Sequence, residues 1–205
     1  MHVTATTKLE TSDHRRATAE RNVEAILGAA ETLLRRRVQP SIAAVAKEAG
    51  VSRVTVYAHF PTREELLEAV VARVTDAADA SLEAARPAEG DPVEALERVI
   101  TVAWKEIERQ QAIRQAAAEE LSSEAVRRAH RKPAETIRRL VERGRRRGAF
   151  RTDLPVEWLV ASCFSLLHTA ADEVRAKRIK PEAAMTAVRS SLIELFTGRA
   201  SAPAE

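Results

Sequence analysis

Ser41–Leu66, SIAAVAKEAGVSRVTVYAHFPTREEL, reads as a helix, a tight corner, a second helix and the capped start of a third. Ile42, Val45, Ala46 and Ala49 recur at three- and four-residue spacing, so they share one helical face. Gly50 supplies the backbone freedom that a sharp reversal needs. Val51 plugs the corner, and Ser52 stands where a side-chain oxygen caps the next helix. In that second helix, Arg53 to Phe60, Val56 and Phe60 lie four residues apart and turn toward Ala46 and Ala49. Val54, Thr55, Tyr57 and Ala58 are left outward, a face with few long charges that suits a groove better than bulk water.

The geometry is that of a helix-turn-helix, and the major groove of duplex DNA admits one helix. Arg53 is the candidate for reading guanine, Thr55 for a base edge or phosphate, and Val54 or Ala58 for a thymine methyl. Tyr57, the one tyrosine of the chain, and His59 are placed for flanking phosphates. Pro61 stops the helix, and Thr62 with Glu65 makes a capping-box pattern that opens a third. Arg63 adds charge to the anion-favouring start of that helix.

The pattern AxxAGVSxxTxYxHFxxxEEL, carried by Ala49, Gly50, Val51, Ser52, Thr55, Tyr57, His59, Phe60 and Leu66, resembles the head of the TetR (tetracycline-repressor) family of bacterial transcription regulators. The resemblance implies DNA-contact positions at Ser41, Arg53, Val54, Thr55, Tyr57, His59 and Arg63, with Ser52 counted beside them. Arg63 stands where the family more often has lysine, which keeps the charge. Ala43 stands where some relatives bear a longer polar side chain.

The 205-residue chain is long enough for a small head and a larger body, each with its own core. Apolar residues make up 45% and charged ones 31%, a balance that argues for folding. With only six glycines, and prolines confined to breaks or first turns, the chain reads as all-α, with about nine helices. The expected organisation is a flexible, irregular N-terminal arm over 1–17, a three-helix DNA-binding domain over 18–66, a helical effector-binding and dimerisation domain over 67–200, and a tail over 201–205. The arm carries Lys8, Arg15 and Arg16, and the first helix runs from Arg21 to Arg37 with Val23, Ile26, Leu27, Ala30, Leu33 and Leu34 on one stripe.

Net charge is only +3. Residues 1–60 hold nine Lys or Arg against six Asp or Glu, so the whole excess lies in the head. Charge therefore permits DNA binding, and the motif carries it.

A long helix from Thr62 to about Ala85 reads as the connector between head and body. Asp91 caps a helix from Pro92 to Gln110, a shorter one spans Ala112 to Leu121, and the next runs from Ser122 or Ser123 to about Arg147, bent or broken by Pro133. Two further helices, opened near Asp153 or Pro155 and at Pro181, are apolar over more than one face. That excess calls for a second subunit. The resemblance implies a four-helix dimer interface there, with Leu159, Ser162, Leu166, Ala170, Val188, Leu192, Leu195 and Phe196 as its residues.

The mix of aromatic walls with a few polar groups suits a small hydrophobic or amphipathic effector. Trp104, Ile107, His130, Ile137, Trp158, Cys163, Leu167 and His168 are the candidates to line such a pocket. His130 and His168 lack paired ligand spacing, so no metal is expected, and no cofactor or catalytic constellation is read. Cys163 is the single cysteine, so no internal disulfide forms and a reducing cytoplasm fits. The most apolar run, Trp158 to Ala171, is too short to span a bilayer.

The expected function is a homodimeric repressor, not an enzyme, that binds a pseudo-palindromic double-stranded operator and leaves it when the effector binds. The release step is implied by the resemblance alone. The alternatives are a non-specific DNA binder and a helical enzyme or carrier with an accessory helix-turn-helix.

Overall fold

The structure, a computed structural model, describes the backbone of residues 4–198 and the side chains of residues 16–198. Among these the chain forms ten helices and no strand: α1 Thr4–Arg35, α2 Ile42–Ala49, α3 Arg53–His59, α4 Arg63–Ala84, α5 Pro92–Arg109, α6 Gln111–Glu120, α7 Ser123–Ala129, α8 Arg131–Arg146, α9 Val156–Arg175 and α10 Pro181–Thr197. One helix more than expected arises because the segment before Arg147 breaks at His130. Pro133, whose missing N–H is harmless in a first turn, sits just inside the new helix α8.

The first helix corrects the expectation of an irregular arm. It starts at Thr4 rather than Arg21, and residues 4–17 belong to it. No glycine or proline interrupts the sequence before Gly28, and Arg16 pairs with Glu20 one turn on at 3.1 Å. The side chains of Lys8 and Arg15, residues 1–3 and the expected tail over 201–205 lie outside the described residues.

The chain divides into two compact units. The first joins Met1–Ala72 with Ala112–Val126, and the second joins Arg73–Gln111 with Arg127–Glu205. The boundary thus falls inside α4 rather than after Leu66. The segment holding α6, expected in the body, clusters with the head instead. Its buried Ile113, Ala116 and Ala117 give it an apolar face to bury there.

In the first unit the core is built by Ile26, Leu27, Ala30, Leu33 and Leu34 of α1, Val45 and Ala46 of α2, Val56 and Phe60 at α3, and Leu66, Leu67, Val70 and Val71 of α4. All stand at helical spacing, as an amphipathic stripe requires.

In the second unit, Leu96, Val99, Ile100 and Trp104 of α5 pack with Ile137, Leu140 and Val141 of α8, Leu159, Cys163 and Leu167 of α9, and Val188, Leu192 and Phe196 of α10. Asp91 caps α5 by accepting from the N–H groups of Val93 and Glu94 at 2.8 and 3.1 Å. A polar ladder joins the end of α4 to α8. Lys132 meets Asp76 at 2.8 Å, the buried Thr136 hydroxyl lies 2.9 Å from Asp79 and 2.7 Å from Glu83, and Arg139 pairs with Glu83.

Candidate nucleic-acid interface

Local chemistry fixes the corner between α2 and α3. Ser41 caps α2 by accepting the Ala44 N–H at 3.2 Å, and Gly50 ends it with φ of 69°, in the left-handed region where a Cβ is costly. Its N–H and that of Val51 return to carbonyls of the last turn of α2. Two residues on, Ser52 caps α3 by accepting the Thr55 N–H at 3.0 Å. The reversal is therefore closed by backbone and hydroxyl bonds at both helix ends.

Within α3, Val56 is fully buried and pins the helix to the unit's core, which sets the opposite face outward. Arg53, Val54, Tyr57 and Ala58 are exposed there. Val54 is 78% exposed and Tyr57 53%, a display of apolar surface with no intramolecular use. Thr55, expected on that face, is half-buried, and its hydroxyl lies 2.8 Å from Ser52 Oγ. His59 is half-buried too, at the end of the helix. Ser41 is exposed, with its hydroxyl engaged in the cap.

Thr62 opens α4 as the sequence indicates, its hydroxyl accepting the Glu65 N–H at 3.1 Å. Arg63 is the departure. Its guanidinium is occupied inside the unit: Nη2 donates to Glu120 at 2.6 Å and also to Gln39. Neither partner is legible from sequence, since Glu120 is 57 positions away and no local spacing links the two.

The body candidates divide. Trp104, Ile137, Cys163 and Leu167 are buried in the second unit's core, and Ile107 packs against it. His130 and His168 come together with rings 5.7 Å apart and nearly perpendicular. Phe164, missed in the sequence, joins them at 5.6 Å from His130 and 6.3 Å from His168. Trp158 does not belong with them. It is 58% exposed, because it lies on the opposite side of α9 from Leu159 and Cys163. Burial pushes the Cys163 thiol up to about 12.

The interface candidates divide as well. Leu159, Val188, Leu192 and Phe196 are buried within the single chain. Each sits on the side of its helix that faces the unit's own core, and Phe196 meets Phe150 edge to face at 5.6 Å. Ser162, Leu166, Ala170 and Leu195 are partly exposed. The outward stripes are completed by Trp158, Ala161, Ser165 and Thr169 on α9 and by Ala183, Ala187, Ser190 and Ser191 on α10. Among the described residues no helix is long and apolar enough to cross a membrane.

Among the described residues, ten helices with a glycine corner and an outward-facing α3 define an all-helical fold with an N-terminal helix-turn-helix head. Residues 26–70 match the family model described as bacterial regulatory proteins, tetR family. The HTH-type transcriptional repressor LfrR of Mycolicibacterium smegmatis is 38% identical over 81 residues, a stretch that spans 40% of this chain and 43% of that one.

The fold is shared well beyond the head. The crystal structure of the TetR-like regulator LfrR from Mycobacterium smegmatis in complex with proflavine superposes with a TM-score of 0.62 at 23% identity, covering 88% of this chain and 98% of that one. PfmR, a TetR family transcriptional regulator from Thermus thermophilus, gives 0.60 at 23% identity over 84% and 97%.

Proposed function

We propose that the chain is a transcriptional repressor that docks α3 into the major groove of an operator and acts as a homodimer. The observation that carries this reading is the outward face of α3, where Arg53, Val54 and Tyr57 stand exposed on a helix anchored from behind by the buried Val56. In the complex Arg53 reads a base edge, Val54 makes an apolar contact with a thymine methyl, and Tyr57 and His59 touch phosphates. Thr55, already held by Ser52, serves the helix start first and offers its remaining hydrogen-bonding capacity to a phosphate. Two copies related by a two-fold axis present two such helices about 34 Å apart, which calls for a pseudo-palindromic site.

Self-association uses the outward stripes of α9 and α10, with Trp158 as the large apolar anchor and small residues permitting close approach. A small amphipathic effector binds in the body, against the aromatic group of His130, Phe164 and His168. It releases DNA by preferring a dimer shape in which the recognition helices are wrongly spaced. LfrR, whose crystal structure is in complex with proflavine, supports the reading that a small molecule binds.

The test is selection of bound fragments from genomic DNA, followed by titration of the selected duplex against an unrelated one. A shared two-fold motif bound far more tightly than the unrelated duplex supports the reading. Equal affinity for both at physiological salt would leave a non-specific binder.

A further inference from the structure

Arg63 opens α4, four positions after His59 ends α3, yet its guanidinium is turned to the protein. Both contacts fall on one nitrogen: Nη2 donates to Glu120 at 2.6 Å and to Gln39. Nε–H is buried without an acceptor, although the Nε and Nη2 edge is the one that grips a carboxylate or phosphate with two parallel bonds. A structural ion pair that uses half of the fork and orphans the other half is incompletely satisfied. The pair is not sealed from solvent either, for the Arg63 side chain is 39% exposed and that of Glu120 25%.

We propose that Glu120 belongs to the DNA-contact site as a competitor, holding Arg63 with its carboxylate so that a backbone phosphate must displace it. The inference rests on the reading of the head as DNA-binding and adds to it the residue that sets how strongly Arg63 contributes. Charge decides the direction. Beside Glu120 the guanidinium presents no net charge to an approaching phosphate, and the carboxylate itself repels it. Removing the carboxylate frees one positive charge and removes one negative, and a phosphate offers acceptors to both Nη2 and the unpartnered Nε. Gln39 is neutral and holds Arg63 more weakly. Glu120 comes from the segment Ala112–Val126, which lies in the first unit although the chain before and after it belongs to the second.

The experiment measures binding of the full-length protein to a labelled mixed-sequence duplex longer than one helical turn, as a function of salt. Four proteins are compared: the parent, Glu120→Gln, Arg63→Ala and the double variant. Thermal unfolding followed by circular dichroism checks that each is folded, and Glu120→Ala serves as a second removal of the carboxylate.

Glu120→Gln is expected to bind about two- to fivefold more tightly than the parent, the range of a partly exposed ion pair. The gain should vanish when Arg63 is alanine. Arg63→Ala alone should weaken binding and reduce the salt slope by about one. Unchanged or weaker binding by Glu120→Gln and Glu120→Ala overturns the proposal, and so does a gain of equal size in the Arg63→Ala background, which would be a general charge effect. If Arg63→Ala changes neither affinity nor salt slope, Arg63 is no phosphate contact and the proposal falls. The DNA-binding reading is judged separately, by whether Tyr57→Phe loses affinity for the same duplex.

Discussion

Ser52 and Thr55 are joined twice: Ser52 Oγ accepts the Thr55 backbone N–H at 3.0 Å and lies 2.8 Å from the Thr55 hydroxyl. This three-residue bracket ties the start of α3 to the corner formed at Gly50, so the aim of the exposed face depends on two hydroxyl groups. Ser52→Ala should lower the stability of the protein by about 1 kcal/mol, and Ser52→Asp, which also caps, should restore most of it. Thermal unfolding of the three proteins checks the order.

The exposed face of α3 separates two roles. Arg53→Ala should relax preference at one base pair in each half-site at a cost of about 1–3 kcal/mol, whereas Tyr57→Phe should weaken binding to all sequences alike. Titration against a panel of operator variants, one base pair changed at a time, distinguishes a lost base contact from a lost phosphate contact. Equal losses across the panel for both variants would contradict the division.

Gly144 lies under the ring of Phe150. A Cβ built at Gly144 would come within 2.0 Å of that ring, whose own edge is held against Phe196. Gly144→Ala should therefore destabilise the second unit by about 1–3 kcal/mol through overpacking, despite alanine's better helix propensity. The pair Gly144→Ala with Phe150→Leu should recover part of the loss, measured as the midpoint of denaturant unfolding.

Cys163 is buried among apolar side chains, and desolvation raises its thiol from 9.0 to about 12. A folded-state value above the unfolded one means that the thiol contributes stability in full below about pH 9 and loses it as pH rises toward 12. Alkaline unfolding of the parent should be steeper over that window than that of Cys163→Ala. A thiol reagent at neutral pH should label the native protein only as fast as it opens.

The head was legible because its determinants are local. Caps at Ser41, Ser52 and Thr62, the left-handed turn at Gly50 and the burial of Val56 each depend on residues within one or two turns. The body was legible as helices but not as sides of helices. Periodicity marks Trp158, Leu159, Val188, Leu192 and Phe196 as apolar, and only the packed neighbours decide that Trp158 faces out while the other four close the unit's own core. The same limit hid Glu120 from Arg63, and Phe164 from the two histidines. These pairings cross long stretches of chain and leave no spacing to read.

Trp158 is the largest exposed apolar side chain on α9, at the start of a stripe that continues through Ala161 and Ser165. Trp158→Ala should weaken self-association by about 2 kcal/mol or more, as a central aromatic anchor does. Sedimentation over a range of concentrations should then show monomer where the parent is dimeric, with helical content unchanged.

The central claim is that α3 enters the major groove and that its twin enters one turn away. Hydroxyl-radical footprinting of the full-length protein on a duplex selected from genomic DNA tests it most directly. Two protected patches on one face of the helix, about 10 base pairs apart and both weakened in Arg53→Ala, are the predicted result. A single patch, or uniform protection that shifts freely along the duplex, would contradict it.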